Sequence, residues 1–165
     1  MSKKYKKKYK PYKRGQVVYV DFGWKPEGVQ CFIRPAVIVS SNQSNHNNAL
    51  QITVCPLSSK LKDIDVHVQI HPLDVGGLHL QKISDFIPED IQTVPKSFVR
   101  GSIGNITVAS GVMHKIDRAL IKQLGLANIV QRLIREALED AKKMKDKRFV
   151  RYADGGAPRR RVQVA

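Results

Sequence analysis

The chain has 165 residues, enough for one ordinary domain with a real core. Its 42 % of hydrophobic residues excludes a disordered chain, and no apolar stretch approaches the ~20 residues that a membrane span requires. The formal charge of +15 is unevenly placed: residues 1–14 carry eight Lys or Arg and no acid, residues 142–165 carry nine against Asp146 and Asp154, and 15–141 holds twelve of each sign. All the excess lies at the two ends, a distribution that suits a polyanionic partner.

The head interleaves Tyr5, Tyr9 and Tyr12 with lysines and cannot fold alone. Rings for base stacking and ammonium groups for phosphates suit single-stranded nucleic acid. Residues 17–22 then read as a strand that ends at Gly23. A loop with Pro26 and Gly28 leads to residues 35–39, a buried strand, and 40–48 is polar and loop-like. Residues 50–57 are strand again, and Ile64, Val66, Val68 and Ile70 alternate with polar residues as a half-buried strand does. Gly76-Gly77 reads as a turn. Short strands are expected around Phe86 and over 91–94, and 103–106 beside Gly101 and Gly104 reads as a bent strand end. Short strands at close spacing, with no helix between them, predict a compact antiparallel barrel in a mainly β (α+β) chain.

The helical period arrives late. Val112, Met113, Ile116, Leu120 and Leu124 form one stripe, with Gly125 as its cap. Val130, Leu133, Ala137, Ala141 and Met144 form another, capped near Asn128, and both stripes read as core or interface. The expected organisation is a basic disordered head (1–14), a barrel domain (15–126), an additional helix (127–147) and a basic flexible tail (148–165).

No P-loop, HExxH, GxSxG or CxxC pattern is present. Cys31 and Cys55 sit in apolar runs and read as buried free thiols of a reducing cytosol. The apolar run after the basic head, 17–20, is too short for a secretory segment, so the expected location is the cytoplasm. The five histidines make no ligand spacing, so no metal or other cofactor is expected.

Several short phrases stand out by their order. A basic-Gly-x-Val-x-x-Val-Asp opening (14–21) precedes Gln30-x-x-x-Arg34-Pro35-x-Val37-Ile38-Val39. After a polar loop come Val54-Cys55-Pro56-Leu57-Ser58-Ser59 and Val66-His67-Val68-x-Ile70. Glu89-Asp90-Ile91-Gln92-Thr93 follows, and the stretch from Met113 to Leu126 closes the series. Together they resemble the MazF/PemK family, the toxin half of type II toxin–antitoxin pairs, over about residues 14–126. The resemblance implies an SH3-like barrel with C-terminal helices and a homodimer. It also implies cleavage of single-stranded RNA and silencing by a cognate antitoxin. By position, Arg34 matches the family's catalytic arginine, Ser58 its usual catalytic threonine, and Glu89 an acidic residue that some members place in the active site. Gln30, Ser59, Lys60, His46 and Gln92 are the expected RNA contacts.

The chemistry accepts these assignments. Metal-free cleavage uses the neighbouring 2′-hydroxyl, which loses a proton as charge builds at phosphorus. An always-charged guanidinium that bridges two phosphate oxygens suits Arg34, and a hydroxyl at Ser58 can donate to the phosphate. Glu89 or Asp90 can take the 2′ proton, with His46 a looser candidate. Three departures are legible: serine in place of threonine, Gln92 where many members have arginine, and a bulkier 30–33 than the usual glycine-rich loop. Two other readings of the same barrel remain, a non-catalytic nucleic-acid-binding or regulatory module and a gyrase-poisoning toxin.

Overall fold

In the computed structural model the described residues are 9–24, 30–77 and 80–153, with backbone alone for 146–153. Residues 1–8 of the basic head, the loop around Pro26 and Gly28, and the tail from 154 onward lie outside them.

Eight strands follow in order: β1 (Gln16–Asp21), β2 (Ile33–Ile38), β3 (Gln51–Ser58), β4 (Val68–Ile70), β5 (Val75–Gly77), β6 (Ser84–Phe86), β7 (Gln92–Pro95) and β8 (Val99–Ile106). Helices α1 (Val112–Gln123) and α2 (Ala127–Ala153) close the chain. The strands run β4-β6-β3-β2-β1-β8-β5, all antiparallel, with β7 also on β3. Strand β3 is the junction. Its first half, Gln51–Val54, pairs with β7, and its end, Leu57–Ser58, pairs with β6, so the sheet curls into a half-barrel.

Curling explains the continuous apolar runs. Successive side chains of a strand point to opposite faces, and here both faces are covered. Val17, Val37, Cys55 and Leu57 pack on one side with Phe86 and with Val112, Ile116 and Leu120 of α1. Val18, Val20, Ala36, Ile38, Ile52 and Val54 pack on the other with Val94 of β7. Each fully buried Val or Ile contributes roughly 1.5–3 kcal/mol.

Contacts divide the chain into two units, the half-barrel with α1 up to Leu124 and a second unit from Gly125 that contains α2. Gly125 takes a left-handed φ of 65° just after α1, as a helix-ending glycine does.

Four expectations are corrected. Gly76-Gly77 is not a turn; it belongs to β5, which pairs with β8 at Asn105 and Gly104. A Cβ on Gly104 would sit 1.9 Å from the Gly76 carbonyl oxygen, so glycine here serves strand contact. The alternation from Ile64 yields a strand only over 68–70, because 65–66 turns and Ile64 is exposed. Helix α2 includes Asn128 and continues to Ala153, since no helix breaker occurs before Gly155. Leu133 and Met144 of its stripe are exposed, so of the two expected roles, core or interface, core is ruled out. Among the described residues no helix is long and apolar enough to cross a membrane.

Candidate active site

Arg34 begins the apolar part of β2 and stands opposite Val20 of β1. Just before it, Phe32 N–H donates to Gly23 O at 2.7 Å, and Phe22 N–H donates to Phe32 O at 3.0 Å. The half-buried guanidinium donates through Nε to Cys31 O at 2.7 Å, which fixes its root. Among the described residues no carboxylate pairs with it. A pocket of about 350 Å³ opens here, lined by Tyr19, Phe32, Arg34, Ser59, Lys82 and Ser84 among others. Cys31 also lines it and is only half-buried, which corrects the expectation of two buried thiols.

Ser58 ends β3. The β2–β3 pairing ends at Ala36 opposite Pro56, two residues short of both Arg34 and Ser58, and Ser58 pairs with Asp85 of β6. The Ser58 hydroxyl is buried, accepts from Lys60 N–H at 3.1 Å and makes a long 3.4 Å contact to Lys60 O. Ser59, not Ser58, lines the Arg34 pocket. The Lys60 side chain is exposed.

Glu89 sits in the single 3₁₀ turn 88–90 that follows β6. Its Oε1 lies 2.7 Å from His67 Nε2, and His67 Nδ1 lies 3.4 Å from Asp85 Oδ2. Asp85 is fully buried; its Oδ2 also accepts from Lys62 N–H at 2.7 Å, whereas Oδ1 has no hydrogen-bond partner. The result is a chain of buried carboxylate, imidazole and outer carboxylate. A second pocket of about 410 Å³ opens against Lys62, His67, Gln69 and Asp85.

Asp90 accepts through Oδ2 from the Gln30 backbone N–H at 3.1 Å, which ties the approach to Arg34 to the Glu89 turn. The Gln30 amide oxygen is buried with no partner, and Gln92 Nε2 makes a long 3.4 Å contact to Asp90 O. His46 lies elsewhere, in the loop joining the opposite ends of β2 and β3. That loop is tethered by the buried Lys96, whose ammonium donates to Asn45 O and His46 O at 3.0 and 2.6 Å.

Of the sequence-derived residues, the structure thus gathers Arg34 and Ser59 in one pocket and leaves Ser58, the residue before Ser59, outside its lining. It places Glu89 on the His67 chain and leaves His46 apart. His67 and Asp85 were missed as site residues. His67 was visible only as one letter of an alternating phrase, because its two partners lie 18 and 22 residues further on. Among the described residues no group of three or more His, Cys, Asp or Glu is placed to hold a metal ion.

A curled antiparallel half-barrel with an acid-free arginine in a hydroxyl-bearing pocket has the equipment to hold a phosphate. The sequence pattern of the PemK-like, MazF-like toxins of type II toxin–antitoxin systems matches residues 13–124, and the chain belongs to this family. No curated protein matches it. Among solved structures it is similar to a mycobacterial endoribonuclease in complex with its cognate antitoxin, at 26 % identity and TM-score 0.56, covering 70 % of this chain and 96 % of that one. MazF from Deinococcus radiodurans shares the fold at 18 % identity and TM-score 0.57, over 70 % of this chain and 98 % of its own. A MazE–MazF structure from the same organism does so at 17 % and 0.54, over 72 % and 99 %.

Proposed function

We propose that the chain is a metal-independent endoribonuclease that cuts single-stranded RNA, the toxin of a toxin–antitoxin pair acting in the cytoplasm as a homodimer. Family membership supports the toxin role, and the relative solved with its cognate antitoxin supports a similar partner here. The observation that carries the nuclease reading is the guanidinium of Arg34, anchored by Cys31 O and unpaired with any described acid.

A guanidinium left without a carboxylate is a ready site for a phosphodiester. It is charged at every working pH and offers two parallel donors to the non-bridging oxygens. In this scheme the RNA 2′-hydroxyl attacks the adjacent phosphorus and passes its proton to Glu89, which His67 holds in place. The bond to the 5′-oxygen breaks, that oxygen takes a proton from water, and a 2′,3′-cyclic phosphate remains. Charge grows on the non-bridging oxygens during attack, so Arg34 binds the transition state more tightly than the ground state. Ser58 donates to one of these oxygens; its 3.4 Å contact to Lys60 O is weak and readily exchanged. Ser59, Lys60, Gln30 and Gln92 contact the flanking strand.

The test is to incubate purified protein with RNA in EDTA and map the ends. Cuts at a preferred sequence, leaving 2′,3′-cyclic phosphate and 5′-hydroxyl ends, are expected. Intact RNA with a folded protein would leave a barrel that binds without cutting.

A further inference from the structure

We infer that Phe32 is a stacking platform for the RNA base that lies next to the scissile phosphate in the Arg34 pocket. The inference rests on the ribonuclease reading of that pocket and adds a residue that sets affinity and sequence preference. Among the described residues Phe32 is the sole non-glycine with positive φ, at 61°. This left-handed backbone suits glycine or asparagine, and a bulky side chain there is strained. The backbone itself dictates the conformation, since both its N–H and its C=O bond across to Gly23 and Phe22. Such a residue persists only where its surroundings over-determine it.

The ring does not offset this strain by burial, because Phe32 is 60 % exposed and belongs to neither core cluster. It lines the same pocket as Arg34, two residues away, with Ser59 and Lys82 on the same wall set. A glycine would satisfy the backbone better and lose nothing from the core. What glycine lacks is a flat apolar face beside a phosphate-binding arginine. Single-stranded RNA presents free base faces, which stack on aromatic rings while cations meet the phosphates. Ring and guanidinium, two residues apart and lining one pocket, suit one nucleotide's base and phosphate.

The experiment compares wild type with Phe32→Gly, Phe32→Asn and Phe32→Trp, using short RNAs that carry 2-aminopurine at successive positions. Phe32→Gly and Phe32→Asn should melt no lower than wild type. They should raise KM about five-fold or more, leave kcat nearly unchanged and lose the stacking quench of 2-aminopurine. Phe32→Trp should restore both KM and quench. Lower melting of both ring-free variants would show a packing role and overturn the inference, as would an unchanged KM and quench. Dissociation of the dimer in light scattering, with quench retained, would assign the ring to a subunit contact instead and also overturn it. Arg34→Ala run in parallel separates the two readings. Loss of cutting there, with Phe32 variants unaltered in quench, sinks the platform alone. Wild-type cutting by Arg34→Ala sinks the pocket and the platform together. Because quench reports binding, it decides the role of Phe32 even for a protein that binds without cutting.

Discussion

His67 holds Glu89 by a hydrogen bond of 2.7 Å between Nε2 and Oε1. The ring is 4 % exposed and the Asp85 carboxylate behind it is fully buried, whereas Glu89 is 37 % exposed. The inner carboxylate therefore orients the imidazole, and the imidazole orients the outer carboxylate, which keeps a face toward solvent. An imidazole flanked in this way donates to both carboxylates only when both its nitrogens carry protons.

In the proposed mechanism His67 is a positioning residue and Glu89 the base. Glu89→Gln should lower kcat by ~100–10,000-fold, the usual worth of a positioned base. His67→Ala should lower kcat less, with KM little changed, and should also destabilise the fold by about 1–3 kcal/mol because Asp85 loses a partner. His67→Gln, which keeps one donor, should recover part of both. Single-turnover cleavage and thermal melting read the two effects. A Glu89→Gln enzyme as fast as wild type would remove Glu89 from the chemistry.

Arg34→Ala should cost roughly 3–4 kcal/mol in the transition state, ~100–1,000-fold in rate, and leave the melting temperature nearly unchanged. Arg34→Lys should not rescue it, since an ammonium lacks the planar fork. Ser58→Ala should slow cleavage by more than Ser59→Ala does, and Ser58→Thr should be tolerated. The reverse order of the two serine variants would move the hydroxyl role to Ser59, which already lines the pocket.

Gly104→Ala should destabilise the half-barrel by about 1–3 kcal/mol, because its Cβ would meet the Gly76 carbonyl of β5 rather than a side chain that can turn away. Gly101→Ala is the control. Its nearest neighbour would be the Tyr19 ring at 3.9 Å, ordinary contact, so urea unfolding should shift much less. Equal shifts would show that the β5–β8 crossing is not closely packed.

Burial pushes the Cys55 thiol up to about 12 from 9.0. The thiolate is the reactive form, so at pH 8 a thiol reagent should modify Cys31 in the native protein and both cysteines after unfolding. The sign for stability follows: the folded pKa is the higher one, so this contribution is fully present below pH 9 and fades as pH rises from about 9 to 12. Two thiols reacting together at pH 8 would mean that the core does not close over Cys55.

Residues 17–22, 35–39 and 50–57 were legible as strands because β-branched and other apolar residues dominate them, and α1 was legible because Val112, Ile116 and Leu120 recur at the helical period. Arg34 and Ser58 stood out because each sits in a short phrase of fixed order. These are local signals, decided by side-chain period and by neighbours in the chain. The double core was not legible, since a run of buried residues does not say which face packs on α1 and which on β7. Gly76-Gly77 looked like a turn because the residue that demands glycine, Gly104, comes 27 residues later. Likewise, His67 is an unremarked letter until Asp85 and Glu89 are folded against it, and Phe32 is an ordinary apolar residue until its φ is known. The sequence by itself determined the first three strands, the first helix and which arginine to single out. The tertiary structure alone decided the imidazole chain, the glycine crossing and the strained ring, because each depends on atoms brought together from distant segments or on a backbone angle that pairing across strands imposes.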